Sequence, residues 1–244
     1  MVEHQRMKVA LLGYGRVARV LEAHVREAGH DIGAVLTSRN AADAARLLPG
    51  HTVAIDFSVP AAVPAHVAAA VAAGVPLVLG TTGWQEDEAR VRRTVEAGGG
   101  GLIYGPNFSI GVNLFYRVVT HAAQVFHGVA GYDPFIEESH HATKRDAPSG
   151  TALALQAMVS RELGGKRVPV TSTRAGHIPG THRVGLDSAA DQILLVHTAR
   201  SRLGFAVGAL LAARWIVGRT GVYRFADLLD DLLAQDQQLK GKVP

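Results

Sequence analysis

The sequence contains no cysteine among its 244 residues. Without thiols the chain can form no disulfide framework, and it can supply neither a thiolate nucleophile nor the ligands of an iron–sulfur cluster. Residues 1–6 also lack the apolar core of a secretory signal peptide. We therefore expect a cytoplasmic protein, in a compartment where thiols and other groups are kept reduced.

Long hydrophobic segments are also missing, although 48% of the residues are hydrophobic. Residues 61–80 are interrupted by prolines, a glycine and a histidine, and the apolar run over residues 205–217 is too short to span a bilayer. The formal net charge is only +4, and lysines and arginines are dispersed rather than clustered. These features predict a soluble protein without a membrane or nucleic-acid partner, and the mild positive charge suits small anionic ligands.

A glycine-rich turn follows the first apolar run of the chain. Residues 8–12 have the continuous apolar character of a buried parallel strand, and a helical segment begins at residue 19. Between them stands G-x-G-x-x-A, which in this strand–turn–helix context is typical of dinucleotide binding. The first glycine permits a tight turn, and the second lets the backbone approach a pyrophosphate. The candidate residues are Gly13, Tyr14, Gly15, Arg16 and Val17.

Strands and helices alternate through the rest of the first hundred residues. Four further apolar runs are predicted strands, over residues 32–36, 53–57, 76–79 and 102–104. Three alanine-rich segments are predicted helices, over residues 41–48, 61–73 and 85–97. This alternation predicts an α/β domain with a Rossmann-type, doubly wound parallel sheet.

Two loops follow predicted strands at the edge where ligands of such sheets bind. Glycine and proline are also frequent in ordinary turns, so a purely structural role for both loops stays open. The candidate cofactor contacts in them are Gly80, Thr81, Thr82, Gly105, Pro106, Asn107 and Phe108.

The turn after the second predicted strand bears on the choice of cofactor. An acidic residue here accepts the ribose hydroxyls of NAD, whereas a basic residue accommodates the phosphate of NADP. This chain has Thr37, Ser38 and Arg39, and its next carboxylate is Asp43. Two hydroxyls and a guanidinium suit a phosphate. The turn therefore predicts NADPH, and a plain surface turn is the alternative.

The second half of the chain has a different pattern. A long helix is predicted over residues 112–126, and a hydrophobic helix over residues 205–217. Between them lie predicted strands over residues 135–138, 168–173, 182–186 and 193–197. Strands that follow one another in this way predict an α+β domain with an open mixed sheet.

Residues 137–152 are the most informative stretch. The adjacent His140 and His141 are followed by Lys144 and by Ser149, which is a good N-cap for the apolar-periodic segment after it. Backbone N–H groups at a helix start attract carboxylates, and neighbouring imidazole and ammonium groups can supply protons. Adjacent histidines in an extended strand point to opposite faces, which argues against a metal site. The stretch predicts a reaction centre for a small anion, and a polar surface loop is the alternative.

This stretch resembles the signature of the dihydrodipicolinate reductase family, also called 4-hydroxy-tetrahydrodipicolinate reductase. Every constant position of the pattern E-x-H-H-x-x-K-x-D-A-P-S-G-T-A is present, beginning at Glu138. Segments at residues 80–83, 105–113 and 201–209 also match family segments. The resemblance therefore covers nearly the whole chain.

The resemblance implies a domain arrangement and a reaction. Residues 1–109 would bind the dinucleotide, residues 110–203 would form an inserted catalytic domain, and residues 204–244 would return to the first domain. The family is commonly tetrameric through the sheet of the catalytic domain, so a homotetramer is expected. The reaction would be the NAD(P)H-dependent reduction of a cyclic, conjugated imine with two carboxylates, in diaminopimelate and lysine synthesis.

The resemblance also implies roles for residues of the signature. His140 would be the catalytic acid or base, and Lys144 would donate a proton or stabilise charge beside it. The spacing does not decide between these two roles. The expected substrate-binding residues are His141, Ser149, Gly150 and Thr151, of which the last two would hold a carboxylate through backbone N–H groups. For His141 a structural hydrogen bond is the alternative.

Two other functions are to be distinguished from this one. A different Rossmann oxidoreductase would keep the glycine turn but has no need of the complete signature. A dinucleotide-binding sensor without catalysis would be expected to have lost the pair His140 and Lys144, yet both are present.

Overall fold

The computed structural model describes residues 6–240, and for residues 235–240 it describes the backbone alone. Residues 1–5, which belong to the segment assessed above for a signal peptide, lie outside the described residues. Within residues 6–240 no helix is both long and apolar enough to cross a membrane. The chain forms two compact units, divided between Ile110 and Gly111 and between Ser201 and Arg202.

The first unit contains a six-stranded sheet in which every strand pair is parallel. Its strands are β1 (Lys8–Leu12), β2 (Asp31–Leu36), β3 (Val53–Asp56), β4 (Leu77–Leu79), β5 (Gly101–Tyr104) and β10 (Gly221–Arg224), in the order β10-β5-β4-β3-β1-β2. Its helices are α1 (Arg16–Glu27), α2 (Ala44–Leu47), α3 (Val63–Ala72), α4 (Glu88–Ala97), α7 (Leu203–Ile216) and α8 (Phe225–Lys240). The predicted Rossmann-type sheet is confirmed.

Both faces of this sheet are buried, because its strands are apolar at successive positions. Neighbouring residues of a strand point to opposite faces. Val9 and Leu11 of β1 pack with α1 and α7, whereas Ala10 and Leu12 pack with α3 and α4. A core on each side therefore holds the strands whose carboxyl ends carry the predicted cofactor loops.

Three elements of the first unit differ from the prediction, one of them α8, over whose residues no helix is predicted. The predicted helix over residues 41–48 is a 3-10 turn over Ala41–Asp43 followed by the four residues of α2. Pro49 and Gly50 end the segment where the prediction placed its end. No strand is predicted over residues 221–224, yet β10 forms there and pairs with β5. Four residues are too few to show a period, and it is the neighbouring strand that makes this segment extended.

The second unit is a four-stranded sheet with two helices, α5 (Ile110–Val125) and α6 (Gly150–Glu162), over one face. Its strands are β6 (Asp133–His140), β7 (Val170–Arg174), β8 (Thr181–Asp187) and β9 (Gln192–Thr198), in the order β7-β6-β8-β9. The pair β6–β7 is parallel, and the pairs β6–β8 and β8–β9 are antiparallel. The predicted open mixed sheet is therefore confirmed.

The helix-covered face of β6 changes from apolar to polar along the strand. Pro134, Ile136, Glu138 and His140 alternate with more exposed residues and are all buried. Ile136 packs with α5, α6 and Val184 of β8, and burying a side chain of this size stabilises the fold by about 1.5–3 kcal/mol. This apolar half anchors the strand whose last residues carry the ionisable groups.

Candidate active site

The glycine-rich turn lies at the carboxyl end of β1. Gly13 has φ +85°, and a Cβ here would approach the carbonyl oxygen of Phe57 to 2.5 Å, so the turn requires glycine. Gly15 precedes α1, and a Cβ there would meet nothing within 4 Å. Tyr14 and Arg16 are exposed beside it, and Val17 is half-buried. The N-terminus of this 12-residue helix fits a pyrophosphate, which would accept from its backbone N–H groups.

The turn after β2 exposes two of its predicted ligand-binding side chains. The backbone N–H and hydroxyl of Thr37 donate to Oδ1 of Asn40 at 2.7 and 3.3 Å. The hydroxyl of Thr37 also accepts from the backbone N–H of Arg39 at 3.3 Å. Thr37 thus shapes the turn, and Ser38 and Arg39 are the exposed side chains.

Thr81 has a structural role that the sequence motif does not reveal. Its hydroxyl donates to Oδ1 of Asp56 at 2.9 Å and accepts from the backbone N–H of Ser58 at 2.8 Å. The second carboxylate oxygen of Asp56 lies 2.7 Å from Nδ1 of the buried His66. Thr81 is only 6% exposed, whereas Thr82 is exposed. The side chain of this loop that a ligand can reach is therefore that of Thr82.

Phe108 likewise supports its loop from inside the core. Its ring is 1% exposed and its centroid lies 4.8 Å from that of Phe225. Oδ1 of Asn107 accepts from the backbone N–H of Ser109 at 2.8 Å, while Pro106 is exposed and Gly105 is buried. The Phe108 side chain is thus used for packing, and a cofactor contact of this residue would be made by its backbone.

A buried ion pair lies at the end of β6 in the second unit. The guanidinium of Arg174 donates to both carboxylate oxygens of Glu138, at 2.6 and 3.0 Å, and the Glu138 side chain has no exposed surface. Burial raises the pKa of Glu138, but the hydrogen bonds it accepts, first of all from Arg174, lower this pKa to about 2. Glu138 is therefore ionised at every physiological pH.

His140 is bonded to the same carboxylate. Its Nδ1 forms a short hydrogen bond to Oε2 of Glu138, and the residue is 9% exposed. Burial lowers the pKa of His140 below its usual value, and the neighbouring Glu138 offsets this only in part. The positive charges of Lys144 and Arg174 lower it further. His140 is therefore neutral at neutral pH, with the anion Glu138 bonded to its Nδ1 and the cations Lys144 and Arg174 nearby.

His182 packs against His140 from β8. Their ring centroids are 5.1 Å apart in an edge-to-face arrangement, and Nε2 of His182 lies 3.0 Å from Oγ of Ser149. Burial lowers the pKa of His182 to about 4, with a smaller contribution from His140. Oγ of Ser149 also accepts from the backbone N–H of Ala152 at 3.2 Å, which confirms Ser149 as the N-cap of α6. The buried hydroxyl of Ser149 thus joins the helix start to the histidine pair.

The loop between β6 and α6 carries the other predicted residues. Nζ of Lys144 donates to the two carboxylate oxygens of Asp146 at 2.7 and 2.8 Å, and Nδ1 of His141 lies 2.8 Å from Oγ1 of Thr143. The hydrogen bond from Lys144 is the main reason that the pKa of Asp146 is below its usual value, and burial opposes this effect only in part. A bond from the backbone N–H of Gly150 also lowers the pKa of Asp146. The same carboxylate therefore meets both Lys144 and the start of α6.

The first residues of α6 offer backbone donors at the same place. Gly150 is exposed and Thr151 is half-buried. The hydroxyl of Thr151 is hydrogen-bonded to Tyr116 of α5, whose pKa is raised by burial. The backbone N–H groups of Ala152 and Leu153 already have partners in Ser149. The N–H groups without a partner in Ser149 are thus those of the first two residues of α6, and that of Gly150 is bonded to the exposed carboxylate of Asp146.

Sequence spacing does not identify three residues of this cluster. Strand register places Glu138 opposite His182 and His140 opposite Arg174, although these residues are 34 to 44 positions apart. Glu138 belongs to the signature, but the sequence predicts for it only a place in a strand. His182 and Arg174 belong to two other strands. The atoms of Glu138, His140 and His182 that could bind a metal ion lie within 4.8 Å of one another. The spacing of these residues in the sequence does not predict this proximity. A cation there would have to displace the guanidinium from Glu138.

The fold matches solved dehydrogenases and reductases. A dipicolinate-bound dihydrodipicolinate reductase from Paenisporosarcina sp. TG-14 matches with a TM-score of 0.73 at 19% identity, over 90% of this chain and 98% of that one. A probable dehydrogenase from Thermotoga maritima matches with a TM-score of 0.61 at 9% identity, over 91% and 92% of the two chains. At these identities the similarity shows a common fold.

Sequence similarity is more specific. The family model "Dihydrodipicolinate reductase, N-terminus" matches residues 7–108, and "Dihydrodipicolinate reductase, C-terminus" matches residues 111–229. A 4-hydroxy-tetrahydrodipicolinate reductase of Christiangramia forsetii is 35% identical, over 93% of this chain and 99% of the relative. Another, from Stenotrophomonas maltophilia, is 44% identical over 74% of each chain. With both halves of the chain matched, the protein belongs to the dihydrodipicolinate reductase family.

Proposed function

We propose that this protein is an NAD(P)H-dependent 4-hydroxy-tetrahydrodipicolinate reductase of diaminopimelate and lysine biosynthesis. It would reduce dihydrodipicolinate, a cyclic conjugated imine with two carboxylates, to tetrahydrodipicolinate. The observation that carries the proposal is the cluster at the end of β6. There His140, Lys144 and the start of α6 combine proton-transfer groups with a carboxylate-binding helix end. Family membership and the names of the relatives support it.

Substrate binding is assigned to the start of α6 and the loop before it. A substrate carboxylate would accept from the backbone N–H groups of Gly150 and Thr151, where the helix dipole adds a favourable field. His141 and Lys144 would contact the same or the second carboxylate. Ser149 is buried and bonded to His182 and Ala152, so its contribution is to hold the helix end in place.

Proton transfer is assigned to His140 and Lys144. When bound, the reduced nicotinamide supplies the hydride, which adds to the ring carbon conjugated to the imine. The enamine formed in this way has to take up a proton. His140 is positioned by Glu138 and close enough to Lys144 for the ammonium to lower the pKa of the imidazole. One of these two groups would deliver the proton, and the other would stabilise the charge that develops.

Cofactor binding is assigned to residues 1–109 together with residues 204–244, and catalysis to residues 110–203. The glycine turn at Gly13 and Gly15 fits a dinucleotide, with exposed backbone donors at the start of α1. The exposed Ser38 and Arg39 suit the 2′-phosphate of NADPH. We expect NADPH to be preferred and NADH to be accepted as well.

Assembly through the sheet of the second unit is part of the proposal. β9 is an edge strand, and its Ile193, Leu194 and Val196 are 40–51% exposed. Apolar side chains on an exposed edge strand favour association with another chain. We therefore propose a homotetramer, working in the cytoplasm where the reduced dinucleotides are available.

A coupled assay tests the function directly. Dihydrodipicolinate synthase would generate the unstable substrate, and the loss of reduced-nicotinamide absorbance would be followed with NADPH and with NADH. We expect consumption that requires both the synthase and this protein. Binding of the dinucleotide without consumption would contradict the reductase and favour a sensor. Consumption with other imines or aldehydes, but not with the synthase product, would favour a different oxidoreductase.

A further inference from the structure

The cluster at the end of β6 contains more than the residues assigned to proton transfer. Three strands contribute to it: Glu138 and His140 from β6, Arg174 from β7 and Gly180 immediately before β8. Strand pairing places Arg174 beside His140, and Glu138 lies between them as the common partner. These contacts decide where the proton of a neutral His140 resides.

Glu138 can only accept hydrogen bonds at this position. Its carboxylate accepts two bonds from the guanidinium of Arg174, which has no acceptor, one from the side chain of Ser172 and one from the backbone N–H of Ser149 at 3.3 Å. The hydrogen bond between Oε2 of Glu138 and Nδ1 of His140 must then be donated by the imidazole. A neutral imidazole carries one proton, so Nε2 of His140 holds the lone pair.

The surroundings of Nε2 support this orientation. Gly180 has φ +140°, and a Cβ on it would approach Nε2 of His140 to 3.0 Å. Any side chain here would crowd the nitrogen that points away from Glu138. Glycine thus leaves this side of the imidazole ring accessible.

We propose that Arg174 and Glu138 are positioning residues that hold His140 in its Nδ1–H tautomer and so make Nε2 the nitrogen that exchanges a proton with the substrate. When Nε2 takes up a proton from solvent, the imidazolium is stabilised by Glu138 at Nδ1. When that proton leaves to the ring carbon of the enamine, the same neutral tautomer returns. Arg174 keeps the carboxylate ionised throughout, so Glu138 takes no proton itself.

The variant Glu138→Gln makes the inference testable, because it is expected to reverse the tautomer. Oε1 of Glu138 accepts the shorter bond from Arg174, at 2.6 Å, and the bond from Ser149, whereas the Arg174 bond to Oε2 is 3.0 Å long. The amide oxygen of the new side chain would therefore take the place of Oε1. The amide NH2 group would then face His140 and donate to Nδ1, which forces the proton of the imidazole onto Nε2. A neutral ring with its lone pair turned inwards can neither accept nor deliver the proton at Nε2.

Nitrogen chemical shifts of His140 measure the tautomer without any substrate. Protein labelled with 15N at histidine would be examined by long-range 1H–15N correlation, with His140→Asn used to assign the signals. We expect an Nδ1–H pattern in the wild type and an Nε2–H pattern in Glu138→Gln. The matched control is Glu137→Gln, at an exposed carboxylate that pairs with Arg183 at 3.5 Å. An Nε2–H pattern in the wild type would overturn the proposal, whether or not the variants fold.

Kinetics separate this role from a merely structural one. The loss of the correct tautomer in a Ser-His-Asp triad lowers kcat by about 10⁴-fold while the geometry is kept. For Glu138→Gln we expect kcat to fall at least ~100-fold with the substrate KM changed less than ~3-fold, and Glu137→Gln to match the wild type. Unchanged kcat in a folded variant whose tautomer has reversed would overturn the role of Nε2.

The inference rests on the proposed function only through the identity of the group that receives the proton. The tautomer is a property of the protein alone, so the two can fail separately. If the wild type has the expected tautomer but no reductase activity, the proposed function is contradicted and the role of the positioning pair is supported. If the wild type is active but has the opposite tautomer, the function is supported and the role of the positioning pair is contradicted.

Discussion

Nζ of Lys144 lies 2.7 and 2.8 Å from the two carboxylate oxygens of Asp146, and this carboxylate also meets the backbone N–H of Gly150. A carboxylate of the protein thus contacts two of the groups assigned to a substrate carboxylate. A substrate that binds there must displace Asp146 from the helix end and from the ammonium. Asp146 is exposed, so this ion pair is a weak one and the exchange costs little.

Asp146→Asn is therefore expected to strengthen the binding of dicarboxylates. An exposed ion pair is worth about 0.2–1 kcal/mol, so the dissociation constant of dipicolinate should fall by a factor of about 1.4 to 5. Isothermal titration calorimetry would measure it. Asp133→Asn is the matched control, because Asp133 pairs with Lys166 at 2.8 Å at the opposite end of β6. Weaker binding in Asp146→Asn would instead mean that Asp146 orients Lys144 for the substrate.

Lys144→Ala should lower turnover at least ~100-fold, the range for losing a positioned proton donor. The coupled assay would measure kcat, and circular dichroism would show whether the variant is folded. Arg145→Ala removes the neighbouring exposed cation and should keep normal turnover. Normal turnover in Lys144→Ala would contradict a role of Lys144 in the reaction.

Arg39→Ala should reduce the preference for NADPH. A hydrogen bond to a charged group contributes about 1.5–3 kcal/mol, and Arg39 is exposed, so kcat/KM for NADPH should fall about tenfold. The value for NADH should change little. Arg46→Ala is the control, since Arg46 is an exposed arginine that pairs with Asp43 at 3.4 Å. An equal loss with both cofactors would show that Arg39 does not recognise the phosphate.

His182 should make the stability of the protein depend on pH. Its folded-state pKa is about 4, below the ordinary 6.5, so the unfolded chain binds more protons between these values. Stability is therefore full above about pH 6.5 and is lost as the pH falls towards 4, by about 3 kcal/mol in total.

Urea unfolding followed by far-ultraviolet circular dichroism at about pH 7.5 and about pH 4.5 would measure this contribution. In His182→Gln the difference in unfolding free energy between the two pH values should be smaller by most of that amount. His177→Gln, at an exposed histidine, should retain the wild-type difference. The same pH dependence in wild type and His182→Gln would show that His182 is not buried in its neutral form.

Local patterns in the sequence predict much of the fold. Continuous apolar runs predict β1 to β5 because both faces of a parallel sheet are buried. Ser149 predicts the start of α6 because its side chain can cap the free N–H group of Ala152. Short segments are less well predicted: α2 ends at Leu47 before a proline, and β10 is extended because it pairs with β5.

The candidate site is only partly predictable in the same way. His140, Lys144 and the start of α6 lie within sixteen residues, so their pattern is visible in the chain itself. Thr81 and Phe108 occur in recognisable loops, but burial turns their side chains inwards, to Asp56 and to Phe225. A motif identifies the loop, whereas the packing around it decides which of its side chains a ligand can reach.

Local patterns in the chain are enough to predict the class of this protein: a parallel α/β unit with a glycine turn, a mixed-sheet unit, and one short segment carrying the reactive groups. The charge and hydrogen bonding of those groups depend on how the strands pack. Arg174 and His182 come to lie beside His140 through strand register, from segments distant in sequence, whereas Glu138 lies two residues before it on the same face of β6. Burial and the fixed carboxylate then set the charge of His140 and the position of its proton. These are effects of distance and solvent exclusion, which exist only once the strands have paired.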